Sequence, residues 1–215
     1  MDDVNGDFRA AVNAALATAA DRLIEHPYYQ AVRRGTLPDV AHDHFAGQDL
    51  YLLPAYGRAH ARAAGGTPGA ETARFLARMA AICLENADAD ATGGTARPAA
   101  GPATVAYTGF LAAAAGGSPA AALGALLPSA HLQLVVSDDL RARVEPGSRY
   151  AQRVHDDHPG EEYRKLVDQF VDLVVAFGEA RCAAERADLL DHLVLAGRFE
   201  HRFVEAAWLL ETWPR

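Results

Sequence analysis

The sequence predicts an all-α, single-domain bundle of seven or eight helices spanning residues 1–215. Three observations carry this. Apolar residues recur three and four positions apart in segment after segment, the spacing of one helix face. No segment shows sustained period-two alternation with β-branched residues, so no sheet is expected. The breaks between periodic segments fall at Pro and Gly, where helices start and stop. The mixed segment lengths argue against a simple four-helix up-and-down bundle.

In order, the first helix runs from Asp7 to Glu25, with Phe8, Val12, Ala15, Ala19 and Leu23 as its stripe. His26-Pro27 ends it, because a residue before proline avoids the α region. A short helix from Tyr28 to Arg34 stops at Gly35, a C-cap glycine. The next opens with Pro38 in its first turn, carries His42, His44, Gln48, Asp49, Tyr51 and Tyr56, and runs to Ala64 past an internal Pro54. Another opens at Pro68 or Gly69 and ends near Asn86, with Phe75, Leu76, Met79, Ile82 and Cys83 on its apolar side. The Gly-, Ala-, Thr- and Pro-rich stretch from Ala91 to Pro102 reads as a loop. Ala103 to Ala115 is a helix containing Tyr107. Ser118, an N-cap before Pro119, starts a helix that reaches Val144 through an internal Pro128. Tyr150 to His155 is a short helix or turn. Gly160 to Phe177 is amphipathic, and Ala180 to Thr212 closes the chain as one long helix.

Half of the residues are hydrophobic and the net charge is −8, which fits a globular chain and opposes sequence-independent nucleic-acid binding. Cys83 and Cys182 form no CxxC pair, so neither a disulfide framework nor a zinc site is expected, and a reducing, cytoplasmic setting is the default. No charged segment followed by an apolar one opens the chain, and no run of about 18 apolar residues suggests a membrane span. Lys165, the single lysine, lies among Arg164 and Asp168 on what reads as a solvated face. A Schiff-base mechanism would have to use it.

The stretch from Arg198 to Trp213 concentrates the chemistry. Phe199, Phe203, Ala206, Ala207 and Leu210 mark one helix face, and Glu200 falls at the edge of that stripe, able to reach inward. A carboxylate there must be paired, solvated or protonated, which makes Glu200 a candidate acid. The plain alternative is a boundary glutamate paired with Arg198 or Arg202.

In order along the chain, HPYYQAVRRGTLP (26–38), QDLYLL (48–53) with Tyr56, TVAYTGFL (104–111), ALLPSAH (125–131) and GRFEHRFVEAAW (197–208) resemble the TenA/THI-4 family. The resemblance covers nearly the whole chain. It implies the haem-oxygenase-like all-α fold and a thiaminase-II-type hydrolase that cleaves aminopyrimidine compounds in thiamin metabolism without metal or other cofactor. It also implies a small-molecule substrate, no nucleic-acid or membrane partner, and a homo-oligomer, dimer or tetramer. By position, Asp49 would hold the pyrimidine amine and ring nitrogen, Glu200 would be the acid–base group, and Tyr56 and Tyr107 would line the site. The residue types suit that chemistry. A carboxylate pairs with a donor amine beside an acceptor nitrogen, a glutamate of raised pKa protonates a leaving group, and aromatic rings stack on the heterocycle. Packing in the core is the simpler role for both tyrosines.

The chain also departs from the family pattern. Ser129 stands where the family carries a nucleophilic cysteine, and a serine hydroxyl needs an adjacent base. His131, two residues on, points to a different side of the helix. Leu50, Leu52, Phe199 and Arg153 stand where family aromatics are common, and His131 and His158 occupy other aromatic positions, which turns both toward the pocket. His26 reads as structural, and His42, His44 and His60 as exposed. These changes predict a less aromatic pocket, and Ser129 and His131 join the candidate site with Glu200, Asp49, Tyr56 and Tyr107. Two further classes fit the same fold. One is a metal-dependent oxygenase drawing on Glu85, Asp49, His131 and Glu200, although no helix carries a matched ExxH pair. The other is a ligand-binding or regulatory protein without catalysis, although no basic recognition helix is visible.

Overall fold

A computed structural model describes residues 3–92 and 98–214 of the chain. Among these residues there are nine helices and no strand: α1 (Asp3–Ile24), α2 (Pro27–Arg34), α3 (Asp39–Gly66), α4 (Ala70–Thr92), α5 (Pro102–Ala115), α6 (Pro119–Arg143), α7 (Ala151–Asp156), α8 (Gly160–Glu179) and α9 (Ala183–Trp208). The expected loop from Ala91 is shorter than its composition suggests, because α4 continues to Thr92. Positions 93–97 of that loop lie outside the described residues. The long closing helix begins later than expected: α8 reaches Glu179, and α9 starts after Cys182.

The helix ends follow local chemistry. Ser118 Oγ accepts from Ala121 N at 3.0 Å and caps α6. His26 Nδ1 accepts from Tyr28 N at 3.1 Å and caps α2, while its Nε2 meets Glu205 Oε2 at 2.7 Å. His26 therefore ties the start of α2 to α9. Gly35 ends α2 at φ 73°, the left-handed conformation glycine adopts without steric cost.

α6 is the central helix. It is buried nearly all round from Ala120 to Leu132 and packs on α9, α8, α1, α5 and α3. By length and composition α6 alone among the described helices could cross a membrane, but 72% of its most apolar window is buried inside the bundle, as in the core helix of a globular domain. Its many alanines and Gly124 allow a neighbour to come close. A Cβ at Gly124 would sit 2.2 Å from the Leu189 carbonyl oxygen of α9. This close approach packs α6 tightly against α9. α3 and α4 pair as a helical hairpin, and α5 lies across α3. Gln48 fixes that crossing: its Oε1 accepts from Gly101 N at 2.8 Å and from Thr104 Oγ1 at 2.7 Å, and its Nε2 donates to Ala99 O at 3.1 Å. Fully buried leucines such as Leu123, Leu126, Leu127 and Leu193 fill the centre, each contributing about 1.5–3 kcal/mol by leaving water.

Candidate active site

Four helices converge on Glu200. Its Oε1 accepts from the Tyr107 hydroxyl of α5 at 2.6 Å and from the Tyr56 hydroxyl of α3 at 2.9 Å, and the two hydroxyls also contact each other. The Ser129 hydroxyl of α6 lies near both Glu200 and Tyr56. The pairing with Arg198 or Arg202 does not form; Arg202 instead holds Glu211. Glu200 keeps some exposed surface although protein surrounds it.

Burial pushes the Glu200 carboxyl above its ordinary pKa, because a low-dielectric setting disfavours the charged form; donors from Tyr107, Tyr56 and Ser129 partly offset this. Both tyrosines are pushed well above the usual phenol value, first by burial and then by the Glu200 charge, so they stay protonated and act as donors. Phe199 stacks on Tyr107 with ring centroids 5.2 Å apart, and Phe110 stacks behind Phe199 at 4.8 Å, fixing the Tyr107 ring.

Asp49 lies to one side of this centre. On α3 the positions His42, Asp49 and Tyr56 recur every seven residues, so they follow one face at intervals of roughly 10 Å. Asp49 lines a cavity of about 480 Å³ with Tyr28, Tyr29, Phe45, Leu140 and Val154, and His42 and Arg153 stand at its far side. Glu200, Ser129, Tyr56 and Tyr107 are not among the lining residues. Tyr29 links the two regions: the charges of Glu200 and Asp49 both act on its hydroxyl, whose pKa is raised chiefly by burial. Cys83 lies near enough to Asp49 for the carboxylate to disfavour its thiolate, and burial raises its pKa to about 11. A thiol held there is a poor nucleophile at neutral pH.

The structure thus gathers Glu200, Ser129, Tyr56 and Tyr107, and places Asp49 in the adjoining cavity. It does not bring His131 to them. His131 is partly buried on another side of α6, and the charge acting on it is that of Asp168 on α8. His158 also misses the cavity: its Nε2 meets Asp138 Oδ1 at 2.9 Å and its Nδ1 accepts from Gly160 N at 3.1 Å, which caps α8. His60, expected on the surface, is 2% exposed, packed near Tyr56 and Phe170, and burial lowers its pKa to about 3. His42 is partly buried rather than exposed, because it lines the cavity. Lys165 is solvated as expected and pairs with Glu162 at 2.7 Å. Cys83 and Cys182 are free. Among the described residues no group of three or more His, Cys, Asp or Glu is placed to hold a metal ion, so Glu85, Asp49, His131 and Glu200 do not converge as a metal site.

Tyr28, Tyr29 and Tyr163 received no role from the sequence. Tyr28 and Tyr29 follow Pro27 on a short amphipathic helix, a local hint that one face is buried. Tyr163 is felt by both Cys83 and Glu200, a relation that only packing reveals.

The chain superposes on TenA homologues over nearly its full length. One from Pyrococcus furiosus matches with TM-score 0.84 and 15% identity, covering 93% of this chain and 99% of its own. A protein from Silicibacter sp. TM1040, described as a TenA family transcription regulator, matches with TM-score 0.71 and 21% identity, covering 94% of this chain and 95% of its own. A protein from Sulfolobus solfataricus, described as a TenA-like thiaminase, matches with TM-score 0.72 and 16% identity, covering 95% and 97%. No family model matches the chain, and no curated protein does. The fold is that of the TenA homologues.

Proposed function

From the TenA fold and the gathered residues, we propose a TenA-like hydrolase that cleaves an aminopyrimidine or thiamin-related C–N bond without metal. The single observation that supports it most is Glu200. It is a carboxyl of raised pKa held by two tyrosines and Ser129, beside a cavity whose wall carries a second carboxylate. Two carboxyl groups in different settings suit two tasks. Glu200 is protonated more readily than an ordinary glutamate, and Asp49 binds.

Asp49 accepts from the ring amine, and with one shared proton it also satisfies the neighbouring ring nitrogen. The exocyclic methylene then points along α3 toward Glu200. With an aminomethyl substrate, protonated Glu200 gives its proton to the departing amine as the C–N bond breaks and the electron pair leaves with that nitrogen; the thiazolium of thiamin already carries its positive charge and leaves as neutral thiazole without a proton, so there ionised Glu200 acts only on the water. The ring amine supplies electron density to the methylene carbon, and the Asp49 carboxylate stabilises the positive charge this puts on the ring. A water molecule adds to the methylene carbon and returns its proton to Glu200, which closes the cycle with alcohol and free amine as products. Ser129 orients that water. A serine hydroxyl beside a carboxyl that burial shifts toward its protonated form lacks a strong base, so a covalent intermediate is not required.

The test is turnover of thiamin and of 4-amino-5-aminomethyl-2-methylpyrimidine by purified protein, following hydroxymethylpyrimidine and ammonia. The expected result is product with at least one substrate, and a rise in KM of roughly tenfold or more in Asp49→Asn, the loss of one charge-assisted pair. No product with either substrate would contradict the reading.

A further inference from the structure

The cavity runs from Asp49 to a polar end lined by His42, Arg153 and Asp157. Arg153 on α7 lines it together with His42, which lies seven residues before Asp49 on α3. Seven helical residues span roughly 10 Å. Arg153 Nε donates to Asp157 Oδ2 at 2.9 Å, and Nη1 lies 2.9 Å from His42 Nε2, whose ring stacks on Tyr150 at 6.0 Å. Among the described residues these contacts leave the two Nη2 donors without a protein acceptor. The guanidinium charge also reaches Tyr28, deep in the same cavity, and lowers its phenol pKa against the larger effect of burial.

Ring geometry fixes which part of a substrate meets this group. In an aminopyrimidine held edge-on through its amine and the adjacent ring nitrogen, the two flanking substituents diverge in opposite directions, each perpendicular to the carboxylate contact. One is the reacting methylene. If that arm points along α3 toward Tyr56 and Glu200, the other, at ring position 2, points along α3 toward His42 and Arg153.

We propose that Arg153 is a specificity-determining residue, selecting substrates whose position-2 substituent is a short chain ending in an anion, a carboxylate or phosphate. This rests on the aminopyrimidine reading of the site. A methyl group at that position would leave the Arg153 end of the cavity unfilled. A guanidinium offers a planar donor pair matched to either anion. Asp157 competes for Arg153, which keeps the arginine extended along the cavity wall when no ligand is bound.

The experiment is calorimetric titration with four pyrimidines sharing the 4-amino-5-aminomethyl pattern. They carry at position 2 a methyl group, a butanoate chain, the corresponding neutral amide, and a propyl phosphate. The expected result is that the butanoate or phosphate binds at least about tenfold more tightly than the amide, as a charge-assisted contact allows. Arg153→Met should abolish that preference and leave the methyl compound's Kd unchanged, and Asp157→Asn should enlarge the preference. Which anion gains more identifies the source of the charge. Equal binding of the butanoate, phosphate and amide, with the methyl compound bound, overturns the Arg153 assignment alone. A preference that survives Arg153→Met overturns it as well. Failure of all four to bind overturns the aminopyrimidine reading and this assignment with it.

Discussion

The Tyr107 hydroxyl donates to Glu200 Oε1 at 2.6 Å across 93 positions of sequence, and this contact opposes the upward pKa shift that burial imposes on the carboxyl. The tyrosine favours the charged carboxylate and thereby limits the upward shift that burial imposes. Tyr107→Phe removes that donor, so the Glu200 pKa rises further. Since protonated Glu200 starts the reaction of the aminomethyl substrate, kcat for that substrate falls as pH rises through the Glu200 pKa. The variant should move that limb to higher pH while lowering the maximal rate by roughly tenfold or more, the scale of one lost donor at a developing charge. A pH profile of kcat for both proteins checks it, and an unmoved limb would contradict it.

Glu200 should also cost the fold stability at neutral pH. Its folded-state pKa is raised, so the folded chain holds this proton more tightly than the unfolded chain. Its contribution is fully present below the unfolded carboxyl pKa and is lost as pH rises through the folded value. Glu200→Gln removes that loss. The variant should melt higher than wild type at pH 8, with little difference near pH 4. Each kcal/mol recovered corresponds to roughly 2–4 °C for a chain of this size. Thermal melts at the two pH values measure it.

Ser129 is assigned to water placement, which can be separated from a nucleophilic role. Ser129→Ala should lower kcat by roughly tenfold, the scale of one neutral hydrogen bond in the site, and leave measurable turnover. Mass spectrometry of quenched wild-type reactions should show no adduct on the chain. An adduct on Ser129, or complete loss of turnover in Ser129→Ala, would make the serine the nucleophile instead.

The closeness of α6 and α9 also has a functional reading. A Cβ at Gly124 would meet the Leu189 carbonyl oxygen at 2.2 Å, so the two backbones must separate to admit it. Gly124→Ala should destabilise the chain by about 1–3 kcal/mol, as overpacking does, and lower kcat by moving Ser129 from Glu200. Chemical denaturation and turnover of the same preparation would test both effects.

Much of the fold is legible in the residues. The helical periods, the prolines that open α2, α5 and α6, and the serine cap at Ser118 lie in local chemistry, which a sequence displays directly. The position of Glu200 at the edge of an apolar stripe is equally local, but its partners are not. Arg198 and Arg202 are the nearest candidates by spacing, and the partners that form come from α3, α5 and α6. The family resemblance supplies Asp49, Tyr56, Tyr107 and Ser129 as positions, without the hydrogen bonds that unite the two tyrosines with Glu200. The burial of His60 is hidden because Arg58 and Arg62 two positions away suggest a solvated stretch, whereas its ring meets Phe170 of α8, 5.9 Å away. The nearness of His131 to Ser129 in sequence suggests the pocket, yet two residues along a helix turn a side chain to a different face. The local pattern around Tyr29 hints at burial, but its nearness to both Glu200 and Asp49 depends on distant helices.

The most direct test of the account is Glu200→Gln, measured for turnover of the aminomethyl substrate and for binding of the hydroxymethylpyrimidine product by calorimetry. The account predicts that kcat falls by at least about 100-fold, the usual contribution of a general acid, while product Kd changes little because Asp49 holds the ring. Turnover retained within a few-fold of wild type would show that Glu200 is not the proton donor and would contradict the assignment of this cluster as the reaction centre.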